Sequence, residues 1–353
     1  MKCEKMYKTK RKSNKTKKII IVIILLAAIA AFCLYYSPYV FDKYGIKQPN
    51  KAISFEINDD NINDVPYCLS KEGIIKSVNL FKKYMSDTYG TNYTYTKGIY
   101  KINANMSYKQ LGEKFQKPDS VAATVVIPEG KNCYEISKIL EQNGICSSKD
   151  FIKALNDKYD YEFLSEIKNP EQRPYKLEGY LYPASYEIVE GSSAHDVVDM
   201  MLNAMQLRLE DGILEECESK GVSIDDVLTM ASIVEKEASG YPADMGKVAG
   251  VFWNRLNNPT AQNTPTLGSD PTVHYADLLE KQGYEESIWK AYSTYSTQGL
   301  PTGPICSPSD IAIKAALEPE TSEYYYFFTD KNGVFHYFKT YEEFQKGWKS
   351  ASK

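Results

Sequence analysis

Histidine is scarce in this chain, three residues in 353, and none of the seven cysteines falls in a Cys-x-x-Cys pair or a Cys/His cluster. Zinc centres are assembled from such clusters, so no metal site is expected. No nucleotide or other cofactor motif stands out. Five cysteines lie beyond residue 36 (Cys68, Cys133, Cys146, Cys217 and Cys306), an odd number at wide spacings. That argues for buried apolar thiols over a disulfide framework. Positive charge is also missing from most of the chain. Residues 1–18 hold nine Lys/Arg and one Glu, a charge of +8 against −4 for the whole, so the remainder carries −12. An acidic body has no basic stripe with which to cover phosphates, and nucleic acid is not expected as a partner.

Long apolar runs are absent but for one. Ile19 to Tyr36 reads IIIVIILLAAIAAFCLYY, 18 residues without a charge, within the roughly 17–25 residues of a spanning helix. Lys17 and Lys18 precede it, and Tyr35 and Tyr36 sit where an interfacial aromatic belt would lie. The small residues of a signal-peptidase site fall inside the run, not after it, which favours a retained anchor. The positive-inside rule then puts residues 1–18 in the cytoplasm and the rest outside a cell membrane crossed once.

Beyond a juxtamembrane linker (37–51), a pattern recurs at an offset of 71 residues. Leu69-x-x-x-Gly73-Ile74-Ile75-x-Ser77 returns as Leu140-x-x-x-Gly144-Ile145-Cys146-x-Ser148. Each copy follows an extended segment, and in each the glycine is placed to end a helix as a left-handed cap. A second helix follows, with Phe81 or Phe151 near its first turn and Ser148 as N-cap of the second copy. Cys146 falls opposite Ile75, which supports an apolar role. Two βααβ units are expected, at 52–120 and 121–175. They resemble LysM-like modules, which suggests sugar-polymer binding, with a plain spacer as the alternative.

From about residue 176 an α+β domain is expected, reaching 348. Ser193 to about Ser219 reads as one long amphipathic helix. Ser223-Ile-Asp-Asp226 has capping-box form with Asp in place of Glu, opening a helix through about Ala238. On that helix Val227, Ala231, Val234 and Ala238 share the core stripe. Glu235 and Glu237 fall on opposite edges of the stripe, about 200° apart, with Lys236 in solvent. A carboxyl at such a boundary is half desolvated, which raises its pKa and suits a general acid. The two cannot reach one bond together, and the wheel does not choose between them. Tyr324 to Thr329 and Val334 to Phe338 read as a hairpin around Asp330-Lys-Asn-Gly333. Loops rich in Gly, Pro, hydroxyls and aromatics lie between, a composition that suits a carbohydrate groove and equally suits ordinary turns.

Seven segments in order, VVIPEGKN, LEGYLYPASYE, ASIVEKE, FWNRL, SDPTVHY, GLPTGPI with SPSDIAIKAALEP, and YYYFFTDKNGVFHYF, resemble the endolytic murein transglycosylases (YceG-like). The resemblance spans nearly all of 52–345. It implies an enzyme, a lytic transglycosylase without metal or cofactor. Such an enzyme cuts the bond between N-acetylmuramic acid and N-acetylglucosamine within nascent peptidoglycan strands, leaves 1,6-anhydromuramyl ends and so limits strand elongation. Glu237 aligns with the catalytic acid, Glu235 being the alternate. Asn254, Arg255, Asp270, Thr272, Tyr295 and Pro301 align with groove positions, and Glu178 or Asp270 would be the second carboxylate if the enzyme were instead a hydrolytic muramidase. The chain departs from the family at Ser293 (usually Asn), Thr302 (often Pro) and Glu342-Glu343-Phe344 (commonly with a His). A peptidoglycan-binding scaffold without turnover is the other alternative. Wall-synthesis or division proteins are the partners the resemblance implies.

Overall fold

The computed structural model describes residues 20, 40, 42–45, 52–59, 62–91, 93–259 and 266–351. Apart from residue 20, the apolar run 19–36 lies outside them. Among the described residues no helix is long and apolar enough to cross a membrane. Two compact units divide at residue 120.

In the first, β1 (Ala52–Ile57) pairs antiparallel with β2 (Gly98–Asn103). Ile53, Phe55 and Ile57 alternate inward, as the two-residue period of a strand requires. Between the strands lie α1 (Val65–Lys71) and α2 (Val78–Tyr89), with α3 (Tyr108–Lys114) after them. Gly73 ends α1 at φ +70°, and Ile74 N–H reaches back to the Leu69 carbonyl at 2.9 Å, the six-to-one bond of a Schellman cap. The core joins Phe55, Leu69, Phe81, Tyr100, Tyr108 and Phe115. Within the segment expected to be a linker, the described residues 42–45 meet this unit. Asp42 is buried and accepts the Lys76 amide at 2.8 Å and the Tyr108 hydroxyl at 2.5 Å.

The second unit repeats the order strand–helix–helix–strand. β3 (Val121–Val126) is followed by α4 (Cys133–Gln142) and α5 (Ser148–Ala154), and pairs antiparallel with β4 (Ser185–Val189). Gly144 ends α4 at φ +72°, with Ile145 N–H on the Leu140 carbonyl. The α5 cap, however, is Ser147, whose hydroxyl accepts the Asp150 amide. Ser148 is already inside the helix, and its hydroxyl pairs with Ser137 at 2.6 Å. The closing strand comes after residue 175, and residues 125–317 share one hydrophobic core. The five cysteines beyond residue 36 are all free thiols.

Around that core lie α6 (Ala194–Leu209), α7 (Ile213–Lys220), α8 (Ile224–Glu237), α9 (Met245–Asn257), α10 (Asp270–Lys281), α11 (Glu286–Lys290) and α12 (Asp310–Leu317). The expected single helix from Ser193 to Ser219 is two, broken at Gly212, whose φ of +90° no helix accommodates. Ser223 caps α8 by accepting the Asp226 amide at 3.2 Å. The stripe expected on α8 is too narrow. Leu228, Met230, Ser232 and Ile233 are buried as well as Val227, Ala231 and Val234, because α9, α10 and α12 pack around this helix. β5 (Tyr326–Thr329) and β6 (Phe335–Phe338) form the expected hairpin, and α13 (Tyr341–Ala351) packs on it.

Candidate active site

Glu237 is the last residue of α8, half-buried at the wall of a cleft of about 770 Å3. Arg255 of α9, Asp270 at the start of α10 and Tyr295 share the cleft, which is also lined by Tyr326, Tyr341, Phe344 and Trp348. The Ser269 hydroxyl donates to Glu237 Oε1 at 2.6 Å. Burial pushes the Glu237 carboxyl up to about 7; the Ser269 bond and the Arg255 charge pull the other way, and Asp270 adds to the rise. A carboxyl that keeps its proton close to neutrality can donate it to a leaving oxygen.

Arg255 is held by its neighbours. Its Nε donates to the Tyr325 carbonyl at 2.7 Å, a second guanidinium nitrogen donates to the Leu267 carbonyl, and the ring of Tyr326 lies 5.7 Å from its guanidinium carbon. Tyr295 is exposed and donates its hydroxyl to Asp270 Oδ1 at 2.7 Å. Burial, with Asp270, pushes the Tyr295 hydroxyl up to about 12, so it remains a donor at neutral pH.

Glu235 faces elsewhere. It is 6% exposed, and its carboxylate accepts the Ser309 amide at 3.0 Å, tying α8 to the residue that caps α12. Glu178 does not line the cleft. It is fully buried, and its carboxylate accepts the Cys133 amide at 3.0 Å and the Tyr275 hydroxyl at 2.8 Å. Its carboxylate is thus committed to hydrogen bonds inside the core. Asn254 also points away, its amide donating to the carbonyls of Ser322 and Tyr324, which holds the approach to β5. Thr272 is fully buried against Thr294 at 2.8 Å and the Ser269 carbonyl at 2.7 Å. Pro301 is buried outside the cleft. Of the residues singled out in the sequence, the cleft therefore collects Glu237, Arg255, Asp270 and Tyr295.

Sequence reasoning missed Ser269, although SDPTVHY contains it, and it missed the wall from α13. The signal for that wall is Tyr341, Phe344 and Trp348 at helical spacing, next to an aromatic hairpin. Their rings pack with Phe328 and Tyr326, Phe328 to Trp348 edge-on at 5.2 Å. Such faces stack on the apolar side of a sugar ring.

Residues 55–350 match the YceG-like family model. Curated relatives include the endolytic murein transglycosylase of Streptococcus pneumoniae, 31% identical over 295 residues that make up 76% of this chain and 52% of the relative. That of Bacillus subtilis is 29% identical over 299 residues, 81% of each. The chain thus spans about half the length of the streptococcal relatives it matches. A crystal structure of a yceG-like protein from Listeria monocytogenes is similar at 30% identity and a TM-score of 0.52, covering 84% of this chain and 99% of that one.

Proposed function

The chain belongs to the YceG-like family, and from that membership and the cleft around Glu237 we propose that it is an endolytic lytic transglycosylase of peptidoglycan. A glycan strand lies in the cleft with one N-acetylmuramic acid over Glu237 and neighbouring rings against Tyr326, Tyr341, Phe344 and Trp348. The protonated carboxyl gives its proton to the oxygen that joins this sugar to the next. As that bond breaks, positive charge develops at C1 and the ring flattens. The C6 hydroxyl of the same sugar attacks C1 and gives its proton to the Glu237 carboxylate. The acid is regenerated, and the product ends in a 1,6-anhydro ring.

The nucleophile is part of the substrate, so its effective concentration is high and neither a positioned water nor a second carboxylate is needed. One arrangement supports this reading: a half-buried carboxyl that accepts the Ser269 hydroxyl and is pushed up in pKa by burial, in a cleft walled with aromatic rings. Arg255 is the fixed cation that steadies the carboxylate between the two proton transfers. We further propose that residues 19–36 anchor the chain in the membrane and leave the cleft outside. There it meets nascent strands near the membrane and acts beside wall-synthesis or division proteins. The repeats are then LysM-like modules that hold glycan.

Chemical reduction of the products tests the proposal. Anhydro ends resist borohydride, whereas the reducing ends made by a muramidase take it up. Reducible ends would make the enzyme a hydrolase, with Asp270 the other carboxylate of the cleft. Strand binding without new ends would make it a scaffold.

A further inference from the structure

Ser269 occupies the N-cap of α10 and makes no side-chain cap bond. A serine at that position ordinarily turns its oxygen to the amides of its own helix. Here the hydroxyl is directed to Glu237 Oε1 instead, 2.6 Å away. The residue is fully buried, and so are the two threonines that fix it. Ser269 N–H donates to Thr294 Oγ1 at 3.0 Å, the Thr272 hydroxyl donates to the Ser269 carbonyl at 2.7 Å, and the two threonine hydroxyls lie 2.8 Å apart. Gly268 N–H closes the knot on the Thr294 carbonyl at 3.0 Å. A buried hydroxyl with its backbone pinned on both sides has little freedom to point anywhere else.

We infer that Ser269 is a positioning residue for the acid: it holds Glu237 through Oε1, so that Oε2 is the oxygen that gives up the proton and takes it back. This rests on Glu237 being the acid. The hydroxyl donates to the charged form, so it favours the carboxylate that exists between the two proton transfers and opposes the effect of burial. The other titratable groups of the cleft are Arg255 from α9, Asp270 from α10, Tyr295, Tyr326 from β5, and Tyr341 and Lys349 from α13, of which Arg255 and Asp270 act on the Glu237 carboxyl. Ser269 supplies the hydrogen bond to the carboxylate, and with it the contact that sets its orientation. Thr272 and Thr294 act at one remove, by fixing Ser269.

The test uses the full chain in detergent, as wild type, Ser269→Ala and Ser269→Cys, with two readouts. The first is the ionisation midpoint of Glu237, followed by carboxyl 13C NMR and assigned by the signal that Glu237→Gln lacks. It needs no turnover. The second is the pH profile of kcat/KM for strand cleavage. A hydrogen bond to a charged group is of a size that moves a midpoint by about one to two pH units. Ser269→Ala should raise the midpoint, and with it the falling alkaline limb of the profile, by that amount. Loss of orientation should also cut kcat by about 10-fold or more. Ser269→Cys, a weaker donor of similar shape, should fall between, and decides the matter alone if the alanine variant does not fold. A drop in kcat with both midpoints unchanged would overturn the inference and leave Ser269 a packing residue. If the midpoint shifts but wild type cuts no glycan, the coupling stands and the transglycosylase reading falls.

Discussion

Glu235 and Glu237 stand two residues apart on one helix and face different structures, Glu235 accepting the Ser309 amide at 3.0 Å and Glu237 the Ser269 hydroxyl at 2.6 Å. The first joins two core helices and the second closes one wall of the cleft. Their substitutions should therefore separate. Glu235→Ala leaves the part-buried Ser309 amide at the start of α12 without this partner and should cost about 1 kcal/mol of stability. Cleavage by the folded fraction should change little. Urea denaturation beside a turnover assay checks both.

The raised pKa of Glu237 also makes stability depend on pH. Its folded value is about 7 against an ordinary 4.5, so between those values the folded state binds the proton that the unfolded chain releases. Stability from this group is intact below about 4.5 and falls as pH rises. The loss is complete above about 7, where it reaches at most on the order of 3 kcal/mol. Glu237→Gln removes the ionisation. It should match wild type in denaturation midpoint at pH 4.5 and exceed it at pH 8. Glu178, also held up to about 7 by burial, adds the same slope to both proteins.

Trp348 is half exposed on α13 at the cleft wall. If the aromatic wall binds sugar rings, Trp348→Ala should raise KM for glycan strands. Ring stacking of about 0.5–1.5 kcal/mol corresponds to roughly 2–10-fold. kcat should be nearly unchanged, since an indole ring carries no group that takes part in the proton transfer. Steady-state kinetics on strands of defined length would show it.

Arg173 is buried against Asp225, which also accepts the Tyr180 hydroxyl at 2.6 Å. Arg173→Met leaves Asp225 charged and without its cation in the first turn of the helix that carries Glu237. A loss of about 3–5 kcal/mol is expected. Chemical denaturation should register it as a lower midpoint with an unchanged slope.

What the sequence disclosed was mostly local. Gly73 and Gly144 end helices because a left-handed residue is needed there, and the 71-residue offset locates both. Adjacent serines defeated the same logic at Ser147 and Ser148, since either can cap. The choice between Glu235 and Glu237 was out of reach, because both sit at the edge of the stripe. Which one meets solvent depends on where the segments at 309 and 269 pack, far away in the chain. Asn254 and Thr272 sit in family motifs yet are engaged with backbone carbonyls and a neighbouring hydroxyl, and Pro301 is buried outside the cleft, none of which their spacing in the sequence reveals. The α13 wall depends on a contact between the hairpin and a helix whose own pattern names no partner.

The central claim is that Glu237 carries the proton in a cleavage that adds no water. The most direct measurement is mass spectrometry of purified glycan strands incubated with the full chain, with Glu237→Gln and Glu235→Gln alongside. Wild type and Glu235→Gln should yield fragments lighter by one water than hydrolysis products, and Glu237→Gln none. Near-normal cutting by a folded Glu237→Gln would contradict it.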